Sequence, residues 1–198
     1  MTRRLRQIYT RRGDDGQTGI VGGERVSKDS IMIASCGTVD ELNAHLGLAR
    51  CMMAEAPAVD RRWQEELQQC QRELMRLTPL LATPAEHERH AELLGRLSGD
   101  GADSLDAAVD RMEAQIESCL AEVPAVDGFV MPGSDCVNAQ LHVSRSVCRR
   151  LERVLVRRRR EGLAVPPPVL QYVNRLSDLL FAVSRRVALE QGRDEVCG

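Results

Sequence analysis

The sequence predicts an all-α protein, a five-helix bundle behind a glycine-rich leader. Three observations predict it. From about residue 38 onward, apolar residues recur three and four apart, the period of a helix with one buried face. Pro, Gly and Asp clusters separate these segments. Residues that cap helices stand where the segments begin.

The first helix is expected over about 38–54, opened by the capping-box pattern Thr38-Val39-Asp40-Glu41 and buried through Val39, Leu42, Leu46 and Met53. A second, the longest of the early helices, carries Val59, Trp63, Leu67, Cys70, Leu74 and Leu77 up to the interruptions at Pro79 and Pro84. Residues 84–104, rich in His, Glu, Gly and Asp, read as a surface connection with room for a short helix at 87–96. Leu105, Val109, Met112, Ile116 and Leu120 mark a third helix that ends near Pro124. After the loop Val126–Gly133, Ser134 is placed to cap a fourth helix running to about 161, with Val137, Leu141, Cys148, Leu151 and Leu155 inward. The triplet Pro166-Pro167-Pro168 opens a fifth, to about 191, because proline fits the first turn of a helix and not its interior.

A chain of 198 residues holds one sizeable core, so residues 1–198 are read as a single domain: leader 1–36 and bundle 38–191. Its 43% hydrophobic and 28% charged residues exclude a wholly disordered chain. With 27 basic and 29 acidic side chains the formal charge is −2, too balanced for a nucleic-acid partner. Seven scattered cysteines without a CxxC pair fit reduced thiols and a cytoplasmic setting. No apolar stretch approaches the length of a membrane span.

Two regions carry candidate chemistry. In the leader, Gly13-Asp14-Asp15-Gly16-Gln17-Thr18-Gly19 lacks the spacing of a P-loop. Closely set glycines still let backbone amides approach a polyphosphate; Thr10 and Thr18 add hydroxyls, and Arg11, Arg12 and Lys28 add positive charge. Spacing alone leaves a cradle for ATP and a plain set of turns both open. On the fourth helix Arg145, Arg149 and Arg153 lie four apart with Glu152 beside them, either an anion clamp or a solvated arginine face. The fifth helix sets Asn174, Asp178 and Phe181 among apolar Val173, Leu176, Leu180 and Val183. His87, His90, His45 and His142 have no ligand spacing that defines a protein metal site.

Four stretches, in order, resemble the PduO-type cobalamin adenosyltransferases. Ile8-Tyr9-Thr10-Arg11-Arg12-Gly13-Asp14-Asp15-Gly16-Gln17-Thr18 resembles the family's opening, and Gly37-Thr38-Val39-Asp40-Glu41-Leu42-Asn43 its G-T-x-D-E-L-N. Arg145-Ser146-Val147-Cys148-Arg149-Arg150-Leu151-Glu152-Arg153 is similar to R-x-x-C-R-R-A-E-R, and Val173–Phe181 to L-N-R-L-S-D-x-L-F. The resemblance implies a ferritin-like five-helix bundle that assembles as a homotrimer with active sites between subunits. It also implies transfer of the 5′-deoxyadenosyl group of ATP to cob(I)alamin, with Mg²⁺ on the ATP phosphates and onward delivery of the product to an adenosylcobalamin-dependent enzyme.

The same resemblance assigns residues. Thr10, Arg11, Arg12, Gly13, Thr18, Gly19, Lys28, Arg149, Arg150, Glu152, Arg153 and Asn174 fall on ATP-binding positions. Asp40 and Arg145 fall on a salt bridge between subunits, and Phe129, Phe181 and Asp40 on the corrinoid pocket. Arg149, Lys28 and Phe129 are the expected catalytic set: two cations for the leaving triphosphate and an apolar ring against the cobalt. Arg11 stands where the family has lysine, which exchanges a point charge for a planar fork. Gly133-Ser134 replaces a second glycine, and Leu74–Pro79 departs from the family's second-helix stretch.

Overall fold

The computed structural model describes residue 9, residues 11–99 and residues 101–198. These form a short antiparallel hairpin, β1 (Gln17–Gly19) and β2 (Arg25–Ser27), followed by six helices: α1 (Ile31–Ala54), α2 (Arg61–Leu81), α3 (Glu88–Gly95), α4 (Leu105–Glu122), α5 (Cys136–Arg160) and α6 (Pro167–Glu190). The all-α bundle is as expected, but five helices become six. The extra one, α3, starts where the His87 side chain accepts the Arg89 amide hydrogen. It lies where the sequence left room for a short helix at 87–96, and it packs on α2.

The bundle is a chain of pairwise contacts. Helix α1 lies between α2 and α5, α5 packs on α6, and α6 packs on α4. Leu42, Leu46, Trp63, Leu67, Leu74, Met112, Leu141, Leu151 and Leu176 are fully buried along these seams. Each such side chain contributes up to about 1.5–3 kcal/mol from burial.

Several boundaries differ for identifiable reasons. Helix α1 begins at Ile31, because Ser30 caps it by accepting from the Ile33 amide. Thr38 is therefore an interior residue, its hydroxyl returned to the Ala34 carbonyl, and the expected capping box is no start signal. Residues 31–36 thus belong to the bundle, not the leader, and α1 exceeds α2 in length. Pro79 lies inside α2, near its end, where the missing N–H forfeits one bond without stopping the helix. Asp135, not Ser134, caps α5, accepting from the Val137 and Asn138 amides at 2.7 and 2.9 Å. Leu120 is exposed, and Cys119 takes the buried position instead.

Three polar ties cross the bundle. Arg111 of α4 bridges Glu66 and Glu73 of α2 at 3.0 and 2.9 Å. Tyr172 of α6 donates to the Cys70 carbonyl, and buried Arg158 of α5 donates to the Leu81 carbonyl. No helix among the described residues is long and apolar enough to cross a membrane.

Candidate functional site

The leader folds back on itself to make a pocket. Pairing of β1 with β2 sets Gln17 opposite Ser27 and Gly19 opposite Arg25. Before β1 the chain turns, the Gly16 amide donating to the Gly13 carbonyl, and after β2 the Lys28 amide closes the hairpin by donating to the Gly16 carbonyl. Gly16 sits at φ 81°, a left-handed conformation that glycine takes without strain. Arg11 sits at φ 60° without that freedom, a strain of about 1–2 kcal/mol that the surrounding turn imposes. Arg25 staples the turn, donating to the Arg12 carbonyl at 2.6 Å and to Asp15 at 3.1 Å. The Gln17 amide, aided by the charges of Arg25 and Lys28, holds the Asp15 carboxyl below its ordinary range.

The resulting cavity, about 560 Å³, is lined by Arg11, Arg12, Gly13, Thr18, Gly19 and Lys28, with Tyr9, Asp14, Gln17, Gly23 and Arg25 around them. Six of the seven leader positions singled out from sequence therefore share one concavity; Thr10 lies outside the described residues. The Lys28 ammonium donates to the Gly13 carbonyl at 2.6 Å. A Cβ at Gly13 would come within 3.0 Å of that nitrogen and 3.2 Å of the Gln17 carbonyl oxygen, so a side chain there would push Lys28 and the Gln17 backbone back by a few tenths of an ångström. Such a site, cationic and rich in backbone polarity, suits a polyphosphate.

The helix-borne candidates divide into two groups. Glu152 accepts from the Asn174 amide at 3.1 Å, joining α5 to α6. Also on α5, the thiol of Cys148 is pushed far up by burial, with Glu152 and Asp178 raising it further and Arg149 and Arg145 opposing them. Arg150, in contrast, pairs with Glu41 of α1. Together with Arg153 it opens onto a groove formed with Glu41, His45, Pro132, His142 and Ser146. No residue of α5 or α6 lines the leader pocket, so within one chain the two cation sets stay apart.

Phe129 projects from the loop before α5 and is 90% exposed, an unusual state for a large apolar ring. The C-terminal residues run beside that loop: Met131 donates to the Val196 carbonyl, Gly198 to the Phe129 carbonyl, and Val130 pairs with Cys197. Arg185 holds the tail through Glu195 at 2.8 Å and the loop's start through the Pro124 carbonyl at 2.6 Å. On α6, Phe181 meets the His142 ring edge-on at 6.1 Å, and the Arg145 guanidinium lies 5.3 Å from its centroid. Ser184 gives its hydroxyl hydrogen to the Phe181 carbonyl at 2.7 Å and so receives the Nε2 hydrogen of His142 at 3.2 Å. Burial, with Arg145 second, holds His142 below its ordinary value, consistent with a neutral ring in that role. Asp40 is exposed on α1. Among the described residues no ion pair joins it to Arg145 within the chain.

Sequence reasoning missed the tail along the Phe129 loop and the His142–Ser184–Phe181 contact. Both depend on residues distant in sequence. The one available signal was a polar residue, Asn138, beside the inward positions Val137 and Leu141.

A family model described as cobalamin adenosyltransferase matches residues 8–187. The corrinoid adenosyltransferase of Citrobacter freundii is 36% identical over 191 residues, covering 96% of this chain and 98% of that protein. That of Bacillus subtilis is 35% identical over 190 residues, covering 96% and 91%. Corrinoid adenosyltransferase MMAB of Homo sapiens is 32% identical over 194 residues, covering 98% and 74%. Among solved structures, a phenylalanine-to-alanine variant of the PduO-type ATP:corrinoid adenosyltransferase from Lactobacillus reuteri, complexed with cobalamin and ATP, superposes with a TM-score of 0.84. It shares 31% identity, with 97% of this chain and 99% of that one covered. An arginine-to-lysine variant of the same enzyme, complexed with ATP, gives a TM-score of 0.81 at 30% identity, covering 96% and 99%. With the match running from the leader pocket through the polar stripe to α6, this chain belongs to the cobalamin adenosyltransferase family.

Proposed function

We propose that this chain transfers the 5′-deoxyadenosyl group of ATP to cob(I)alamin, forming adenosylcobalamin and triphosphate. The observation that carries the reading is the leader pocket, where Arg11, Arg12 and Lys28 converge on glycine-rich backbone. Its relatives are corrinoid adenosyltransferases, and one solved relative holds cobalamin and ATP together.

The chemistry fixes what the protein must do. Cob(I)alamin attacks C5′ of the ribose; the cobalt–carbon bond forms, the C5′–O bond breaks, and its electron pair leaves with the triphosphate. No proton moves in this displacement, so no general base is needed. What grows is negative charge on the departing chain, and fixed cations in a partly dehydrated site stabilise it. Lys28, Arg11 and Arg12 supply that charge from the leader, and Arg149, Arg150 and Arg153 from α5. Thr18, Gly13 and Gly19 line the phosphate path, and Asn174, tied to Glu152, orients the nucleotide. No cluster of three metal-ligating side chains exists among the described residues. As the companion of ATP, Mg²⁺ would bind the phosphate oxygens and neutralise charge there.

As the family resemblance implies, the site is completed by a neighbour in a homotrimer, with Asp40 of one subunit pairing with Arg145 of the next; the separation of the leader pocket from α5 within one chain supports that reading. Exposed Leu48, Val143 and Val156 on α1 and α5 give that contact its apolar part. Phe129 and Phe181 line the corrinoid side. The resemblance suggests a second task, making the cobalt reducible by removing its lower axial ligand so that Co(II) is left four-coordinate; an apolar ring cannot ligate cobalt and would keep water off the vacated face. Residues 1–198 act here as one adenosyltransferase domain.

The test is an anaerobic assay with ATP, Mg²⁺ and chemically reduced cobalamin, following the cobalt–carbon bond by absorbance and triphosphate in parallel. Equimolar product and triphosphate are expected, with Arg149→Ala slowing turnover about 10²–10³-fold. Binding of ATP and corrinoid without triphosphate would show a carrier and refute the reading.

A further inference from the structure

Asn138 occupies the first turn of α5 and is fully buried, yet it is an amide among apolar neighbours. Both ends of its side chain are used. Oδ1 accepts from the Gly133 amide at 2.9 Å, and Nδ2 donates to the Ser184 carbonyl at 3.1 Å. Gly133 is the residue at which the Phe129 loop turns into α5, with φ at 116°. Ser184 lies one turn beyond Phe181 on α6, and its hydroxyl is bonded to the Phe181 carbonyl. A single planar group thus connects the loop that bears Phe129 with the helix that bears Phe181. One turn along α5, His142 makes a second tie to the same residue, Ser184.

We propose that Asn138 is a positioning residue for the corrinoid: it fixes the spacing between the Phe129 loop and Phe181, and hence the width of the apolar wall that displaces the lower axial ligand. The inference rests on the reading of Phe129 and Phe181 as that wall. Only asparagine fits both contacts at this length. Aspartate offers an acceptor to Gly133 but turns a second acceptor toward the Ser184 carbonyl. Serine is too short to span both, and alanine removes both bonds, so the exposed Gly133 turn is no longer held to the buried Ser184 carbonyl.

The experiment compares wild type, Asn138→Ala and Asn138→Ser. It measures the KM for cob(I)alamin, the Kd for ATP, the fraction of four-coordinate Co(II) in the ATP-bound complex, and hydrogen exchange at the Gly133 amide. Asn138→Ala is expected to raise the corrinoid KM and lower the four-coordinate fraction about tenfold, to leave ATP binding within about twofold, and to speed exchange at Gly133. Asn138→Ser should fall between, and carries the test if the alanine variant does not fold. Unchanged corrinoid constants in a variant whose Gly133 amide exchanges faster would overturn the inference. So would a parallel loss of ATP and corrinoid binding, which marks a merely structural role. Absence of the four-coordinate species in wild type would instead remove the reading of Phe129 and Phe181 on which it depends.

Discussion

Replacing Phe129 by alanine should separate stability from function. The ring is 90% exposed, so the folded chain gains almost nothing from it, and stability should change by no more than about 0.5 kcal/mol. If the ring packs against the corrin, binding buries what folding left open. Full burial of a phenylalanine side chain contributes about 1.5–3 kcal/mol, or about 10- to 150-fold in affinity. Corrinoid binding should therefore weaken by roughly that factor while ATP binding, served by the leader pocket, is unchanged. Titration of Co(II) cobalamin into the ATP-bound protein, read by the base-off absorbance, gives the first number, and urea unfolding gives the second. A variant that unfolds more easily yet keeps full corrinoid affinity and an unaltered base-off spectrum would refute the reasoning, since the ring would then be packing against the chain itself.

Three further outcomes are expected. Arg111→Ala leaves Glu66 and Glu73, with side chains 9% and 4% exposed, facing each other without their shared cation. A loss near about 3 kcal/mol in urea unfolding with an unchanged slope is expected, and one under about 1 kcal/mol would show the pair to be solvated. His142 is held below its ordinary value by burial and by Arg145, so at mildly acid pH the unfolded chain binds more protons than the folded one. Stability should fall on acidification from about pH 7.5 to about pH 5.5, and His142→Gln should flatten that part of the urea-midpoint profile. Asp40→Asn should weaken the proposed trimer in sedimentation while leaving the protomer's unfolding midpoint in place; unaltered assembly with normal corrinoid affinity would reject the proposed subunit bridge.

The inward residues of the long helices were legible because a 3.6-residue period is a local property: Leu42, Leu46, Trp63, Leu67, Leu74, Leu141 and Leu151 are all buried as the spacing requires. Helix boundaries were less so. Thr38-Val39-Asp40-Glu41 carries the letters of a capping box, yet Ser30 wins the start, because capping depends on which hydroxyl finds free amides and not on spacing alone. Leu120 shows the same limit, since it is exposed while its neighbour Cys119 is buried.

For the candidate site, the sequence by itself determined which side chains are available and, through four ordered motifs, which family they resemble. Glycine spacing and cation placement in the leader are encoded within twenty residues, and the pocket closes by short-range turns. Only the tertiary structure decided the partners of those side chains. It sent Arg150 to Glu41 and placed Arg145 over Phe181. It laid the C-terminal residues along the Phe129 loop and gave Asn138 its two contacts, one of them 46 residues away. The physical reason is that a hydrogen bond between helices depends on their relative rotation and offset. Those are set by how all the buried side chains pack together, a property that no local stretch of sequence contains.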